Sequence, residues 1–294
     1  MRVVVAGSSG LIGTELVATL RRDRHEVVRL VRRPATAADE RTWDPPAARI
    51  EDGALDGVDA VVNLCGPAIT LNRLSGARKQ AIVDGRIEPT EVLAAAVAEH
   101  RIPLLVNANA VGYYGDHGAA EIDEATPAGT GFLSTMCTEW EAATTAATEA
   151  GARVVTLRTG LVLSPRGGLL GPLRTLFSVM LGGRLGDGRQ YMPWIHHEDE
   201  IAAIMFTLTN TVTGPVNLTA PNPVTNAEFT RVLARVLGRP APWVVPKFAL
   251  RAVLGTELVD DAALASQRVV PKVLQDNGFK FEYSLVEPAL RSVL

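Results

Sequence analysis

Three glycines, Gly7, Gly10 and Gly13, stand in the run GSSGLIG directly behind the apolar stretch RVVVA. Glycine turns tightly without a Cβ penalty and lets other groups approach its backbone. Between a strand and a helix, this spacing assigns each glycine a task. Gly7 permits the turn, Gly10 admits a pyrophosphate, and Gly13 lets the helix pack closely. Around them Ser8, Ser9, Leu11 and Ile12 complete a helix N-terminus whose unpaired N–H groups and dipole attract an anion. The end of the next strand then selects the ligand. An acid there accepts from the ribose hydroxyls of NAD. This sequence has VRLVRRP, with Arg32 and Arg33 in the acid's place. Guanidinium groups suit a 2′-phosphate and leave a bare ribose without its acceptor. The residues favour NADP(H) over NAD(H).

The remaining reactive side chains are scattered. Tyr113 and Tyr114 follow the stretch NANAVG, and either hydroxyl could reach into a cleft. A phenol with no lysine beside it titrates near ~10 and is a poor base. Cys137 would be a nucleophile only if a neighbouring cation ionised it, and a small buried helix residue is the competing reading. His196, His197, Glu198 and Asp199 are consecutive, so on a helix they point different ways and cannot converge on one metal ion. They fit a helix start, with the acids at the positive end of the dipole. Asp116 and His117 read as a solvated loop.

A regular alternation must position these groups. RVVVAG, EVVRLVR, DAVVNLCG, PLLVNANAVG and RVVTLRTGLVLSP predict strands. Between them LIGTELVATLRRD, SGARKQAIVDGRIEPTEVLAAAVAEHR and FLSTMCTEWEAATTAATEAG predict helices, the second broken or kinked near Gly85 and Pro89. Such alternation implies a parallel sheet with helices on both faces and right-handed crossovers. The expected fold is α/β: a Rossmann-type doubly wound sheet over residues 1–165, rejoined by 194–221. A smaller, mostly helical C-terminal substrate lobe is expected from residues 166–193 and 222–294.

The composition is globular: 294 residues, 47% hydrophobic, 21% charged and a net charge of −3. The charge gives no reason to expect nucleic acid, and the apolar runs are too short for a membrane span. The two cysteines, Cys65 and Cys137, lie far apart and in no metal-ligand spacing. Without a signal-peptide pattern, a reducing cytoplasm is the expected location. The expected partner is a small-molecule substrate, and the chain a monomer or homodimer.

Together with NLCG at residues 63–66, these features resemble the extended short-chain dehydrogenase/reductase superfamily. TWDP (42–45), VGYYG (111–115), FLSTMCTEWE (132–141), LGGRLGDGRQ (181–190), WIHHED (194–199) and GPVNLTAPNPVTNAEF (214–229) are similar to one branch of it. That branch is the atypical, epimerase-like NAD(P)-binding family with a C-terminal helical domain of unknown function, which PKVLQDNGFKFEYSLVEPAL resembles. The resemblance implies a site at the sheet's C-terminal edge. It places Leu64, Cys65 and Gly66 beside the cofactor's adenosine half and Val162 in the nicotinamide pocket. Arg86 would face the nicotinamide side, where most of the superfamily has Asn. In related epimerases a loop of the second lobe closes over a nucleotide-sugar, which points to Arg189 and Trp194 in GRLGDGRQYMPW as substrate residues.

Catalysis in that superfamily rests on a Tyr four residues before a Lys, with an upstream Ser. The Tyr moves a proton to or from the substrate oxygen, and the ammonium lowers its pKa. Here the residues four after Tyr113, Tyr114, Tyr191 and Tyr283 are His117, Gly118, Ile195 and Glu287. Aligned on FLSTMCTEWE, the Tyr and Lys positions fall at Leu133 and Cys137, and the Ser position at Asn109. Ordinary Tyr/Lys catalysis is excluded. Two function classes stay open. One is an epimerase-like oxidoreductase or isomerase that binds NADP(H) and acts on a small, for instance sugar-nucleotide-like, molecule. Arg86, Asn109 and Tyr113, with Cys137 as the branch's substitute for lysine, would be its site residues. The other is a non-catalytic NADPH-binding sensor.

Overall fold

A computed structural model describes residues 1–69 and 73–294. Its main sheet is built from β1 (Arg2–Ala6), β2 (Glu26–Val31), β3 (Glu40–Asp44), β4 (Arg49–Ile50), β5 (Ala60–Asn63), β6 (Leu104–Ala110), β7 (Arg153–Thr159) and β8 (Gly214–Leu218). The strands lie in the order β8-β7-β6-β5-β1-β2-β3-β4. All neighbours run parallel except the edge pair β3 and β4. The chain leaves β1 toward β2 and later returns on β1's other side through β5. That reversal opens a crevice at the carboxyl end of β1, where doubly wound sheets bind ligands.

Both faces are covered, because alternate residues of each buried strand point opposite ways. Val3 and Val5 pack with Leu16 and Leu20 of α1 (Leu11–Arg22) and with Ile201, Ile204 and Leu208 of a later helix, His197–Thr209. Val4 and Ala6 pack with Leu93, Ala94 and Val97 of α2 (Gly76–Glu99) on the other side. The break expected in α2 does not occur. The helix runs unbroken from Gly76 to Glu99 with a buried Pro89 inside it. Gly85 is required for a different reason: a Cβ there would stand 2.7 Å from the Pro67 ring.

After α3 (Phe132–Ala142) and α4 (Thr145–Glu149) the sheet is completed by β7 and, later, β8. The second lobe is built by α5 (Leu170–Ser178), α7 (Asn226–Leu237), α8 (Lys247–Leu254) and the C-terminal helix Val286–Val293; the sheet-facing helix His197–Thr209 between them is α6. Phe177, Phe229, Leu233 and Leu290 form the lobe's core. Residues 268–281 leave that core for the sheet, since Arg268–Val269 pairs with Glu121–Ile122 and Leu274, Phe279 and Phe281 pack on the α1/α6 side. Three contacts fasten the lobe across the crevice. Asp261 Oδ2 accepts from the Phe132 N–H at the start of α3 (2.8 Å), Lys79 donates to Glu257, and Arg73 donates to the Ala252 carbonyl. No helix among the described residues is long and apolar enough to cross a membrane.

Candidate functional site

The glycine loop closes on itself. Gly7 has a φ of +77°, and the Gly10 N–H donates to its carbonyl at 3.1 Å. A Cβ on Gly7 would meet the Leu64 carbonyl carbon at 2.6 Å, and one on Gly13 would meet the Gly7 oxygen at 2.2 Å. The loop, the Leu64–Gly66 segment and α1 are thus packed backbone against backbone. Gly10 is less confined, as its Cβ would meet only the Gly7 oxygen, at 3.3 Å. It is also the N-cap of α1, and no side chain caps this helix. The first-turn N–H groups therefore lack side-chain acceptors at a site where Ser9 and Gly10 are exposed.

Beyond β2 the two arginines separate. Arg33 forks onto Glu40 with contacts of 2.6 and 2.8 Å. That hydrogen bond, together with the Thr36 N–H, holds the Glu40 carboxyl at about 2. Arg33 is spent on the fold. Arg32 is exposed and has neither an ion pair nor a hydrogen bond among the described residues. Its charge is close enough to Cys65 to oppose the burial that pushes that thiol up to about 12. A free guanidinium and the post-β5 loop therefore flank the same end of the crevice.

A buried polar network fixes that loop. Asn63 Nδ2 donates to Thr90 Oγ1 (2.9 Å) and Asn107 Oδ1 (2.7 Å), its Oδ1 accepts from the Cys65 N–H (3.1 Å), and Trp140 Nε1 donates to the same Thr90 oxygen (2.9 Å). Arg86 lies between the loop and Trp140. Its guanidinium donates to the Pro67 carbonyl (2.9 Å), sits 5.2 Å from the Trp140 ring centroid, and would be 3.3 Å from a Cβ on Gly66. Buried Arg86 has no carboxylate partner among the described residues, and its Nε has no hydrogen-bond partner.

The cation at the tyrosines is Arg158 of β7. Its guanidinium carbon lies 3.5 Å from the Tyr113 ring centroid, it forks onto Glu141 at 2.8 and 3.0 Å, and it donates to the Tyr114 hydroxyl at 2.9 Å. Tyr114 is buried, its hydroxyl donates to Asn217 Oδ1, and burial pushes it up to about 12. Tyr113 is half-buried beside Leu133 and Cys137. Asn109 gives its amide protons to the Cys137 carbonyl (2.9 Å) and Glu141 Oε1 (3.1 Å). That removes it as a donor to a substrate. Cys137 is wholly buried and burial raises its thiol to about 12, which excludes a thiolate nucleophile at neutral pH. The signal for Arg158 was present in RVVTLRT: an arginine inside an otherwise apolar strand needs a buried partner.

The second lobe corrects one further expectation. Trp194 is fully buried in the lobe core, with its indole N–H on the Asn222 carbonyl, so it faces no substrate. The Arg189 side chain is 89% exposed beside Asp187. The histidine and acid run opens α6 as expected, and its members find separate partners: His196 bonds Ser292, His197 bonds Glu15, and Asp199 accepts from Glu282 and Tyr283. Asp116 is exposed as a loop residue should be, while its carboxylate accepts from the Ser266 N–H and the His117 N–H donates to the Ser266 carbonyl. Val162 lies on the short strand Leu161–Ser164, which pairs with Trp194–His196 beside the end of β7.

Comparisons with known proteins agree with this architecture. Residues 3–219 match the NAD dependent epimerase/dehydratase family, and residues 245–293 match a domain of unknown function, DUF1731. The chain is 51% identical to the epimerase family protein Mb2239 of Mycobacterium bovis over 98% of its own length and 96% of the relative's. It superposes on the crystal structure of human epimerase family protein SDR39U1 with NADPH at a TM-score of 0.91, with 33% identity, covering 100% of this chain and 99% of that one. A Thermus thermophilus UDP-glucose 4-epimerase complexed with NAD shares the fold, at 19% identity and a TM-score of 0.77, with 100% and 98% covered.

Proposed function

The chain belongs to the NAD dependent epimerase/dehydratase family, and on that premise we propose that it binds NADP(H) along Gly7–Gly13 and performs an epimerase-like oxidoreduction or isomerisation on a small molecule. The observation that carries the reading is the unpaired Arg32 in line with a glycine cradle. The cradle is closed to any Cβ at Gly7 and Gly13, and its helix N-terminus is uncapped. These features fit a dinucleotide with an added phosphate. The human relative crystallised with NADPH supports the same assignment.

A bound nicotinamide would supply the chemistry of hydride transfer. The chain's own residues bind and orient. Ser8, Ser9 and the first-turn N–H groups of α1 receive the pyrophosphate, and Arg32 the 2′-phosphate. Leu64, Cys65 and Gly66 form the wall that Asn63 and Arg86 hold in place. Val162 borders the nicotinamide. Tyr113, backed by the Arg158 guanidinium, presents its hydroxyl to a substrate oxygen, while Leu133 and Cys137 exclude water where a Tyr/Lys pair would stand.

The sensor reading is favoured by one observation: both residues at the lost catalytic positions, Leu133 and Cys137, are buried and apolar or inert. Following NADPH absorbance with a panel of carbonyl substrates separates the two. The enzyme reading expects turnover that falls at least ~10-fold in Tyr113→Phe, on the scale of one lost hydrogen bond in the transition state. Tight NADPH binding without turnover of any panel member selects the sensor.

A further inference from the structure

The second lobe leaves large apolar side chains in solvent, and they are not scattered. Of the ten large hydrophobic residues exposed among the described residues, eight fall within 176–181 and 243–253. Isolated exposed hydrophobics are ordinary, whereas a contiguous set marks a docking surface. The fold joins these two segments. Gly183–Leu185, just behind Leu181, pairs in parallel with Trp243–Val245, and the Trp243 indole N–H donates to the Met180 carbonyl at 2.8 Å. Phe248 of α8 is 76% exposed and follows Val244 by four residues, a length of chain that reaches at most ~14 Å.

The charge on this surface is one-sided. Residues 167–186 and 238–255 hold five cations, Arg174, Arg184, Arg239, Lys247 and Arg251, and no acid, although acids outnumber arginines and lysines by 32 to 29 in the whole chain. Arg251 is held by Asp260. The other four are exposed, and their side chains have no ion pair or hydrogen bond among the described residues. The acids that flank these segments are engaged elsewhere: Asp187 by Arg189 and Glu257 by Lys79. Between α7 and the Trp243 strand lies a hollow of about 700 Å³, lined by Arg184, Arg231, Thr230, Trp243 and Val244. Glu228 also borders it and is paired with Arg231 at 3.6 Å.

Uncompensated cations around exposed apolar side chains match the chemistry of an anionic bilayer surface. Tryptophan suits the boundary between headgroups and acyl chains, because its ring is apolar and its N–H polar. The Trp243 N–H is already satisfied by Met180, so the ring can enter that layer without losing a partner. Arginine and lysine lay their stems along the apolar layer and keep their charges among the phosphates. A second copy fits less well, because a two-fold pairing sets the same four cations against one another. More than half the surface of each of Met180, Leu181, Trp243 and Phe248 stands in solvent. Residues that project in this way from a helix end and a two-stranded ribbon suit a fluid lipid layer better than a shaped protein groove.

We propose that this face of the second lobe, residues 176–181 with 243–248, docks on an anionic lipid surface, with Trp243 in the headgroup layer and Arg174, Arg184, Arg239 and Lys247 among the phosphates. The chain lies on the bilayer without spanning it, and the inference is independent of the cofactor reading. Flotation of the full chain with lipid vesicles tests it. Wild type is expected to float with phosphatidylglycerol vesicles, to bind phosphatidylcholine vesicles at least ~10-fold more weakly, and to be released by about 1 M salt. Trp43, Trp140 and Trp194 are buried, so quenching of tryptophan emission by phosphatidylglycerol with brominated acyl chains reads Trp243 and disappears in Trp243→Phe. Arg174→Glu combined with Lys247→Glu, both at exposed and unpaired positions, weakens vesicle binding at least ~10-fold with the thermal midpoint unchanged. No flotation of wild type, even where it captures an acidic protein, overturns the proposal. Equal flotation with both lipids, no quenching in wild type, or quenching that persists in Trp243→Phe does the same. A dimer in sedimentation that Leu181→Ser dissolves assigns the face to a second copy and also overturns it.

Discussion

At the residue scale, the glycines and arginines that look equivalent in the sequence do different work. A Cβ on Gly13 would stand 2.2 Å from a backbone oxygen, whereas one on Gly10 would stand 3.3 Å away. Gly13→Ala is expected to lose at least ~2 kcal/mol of folding stability through overpacking. Gly10→Ala should keep nearly all its stability and still bind NADPH more weakly, because its methyl projects where the pyrophosphate must approach. Urea unfolding and NADPH titration of the two variants check this contrast. The spacing made the loop legible without a structure. It could not tell Arg32 from Arg33, since the difference is made by Glu40, which only the β2/β3 register brings beneath one of them. The places of Asn109 and Cys137 were not legible for the same reason. Their types suit chemistry, but their hydrogen bonds and burial are set by packing between β6 and α3.

At the scale of elements, β7 and α6 bring charge into the core. Arg158 on β7 satisfies Glu141, Tyr114 and the Tyr113 ring at once, with only 4% of its side chain exposed. Arg158→Met should cost ~3 kcal/mol in urea unfolding, because Glu141 and the Tyr114 hydroxyl lose their shared partner. Glu200 on α6 makes the opposite contribution as pH rises. Its folded-state pKa, about 8, lies above that of the unfolded chain. The stabilisation it supplies is complete below the unfolded value and is lost as pH rises toward about 8. Thermal midpoints should fall across that window in wild type and fall less in Glu200→Gln. Strand and helix identity were legible from periodicity, since buried parallel strands read as β-branched runs. The continuity of α2 through Pro89 was not, because a proline inside a helical pattern reads as a break unless tertiary packing overrides it.

At the scale of the molecule, the strand order places the glycine loop at the point where the sheet reverses direction, and the second lobe is fastened across that crevice through Asp261, Lys79 and Arg73. The alternation of strands and helices announced the sheet. The return of residues 268–281 to it was hidden, because Leu274, Phe279 and Phe281 form no periodic stripe and are buried only by tertiary contact. The proposed function follows from the same geometry: a family fold with a glycine cradle closed to any Cβ at Gly7 and Gly13, and with Leu133 and Cys137 buried beside Tyr113. The most direct test is calorimetric titration of wild type and Arg32→Ala with NADPH and NADH. The expected result is NADPH binding by wild type well above NADH, and a loss of ~10- to 100-fold for NADPH alone in Arg32→Ala, the scale of a charge-assisted phosphate contact. No binding of either nucleotide, or equal losses of both in Arg32→Ala, would contradict the account.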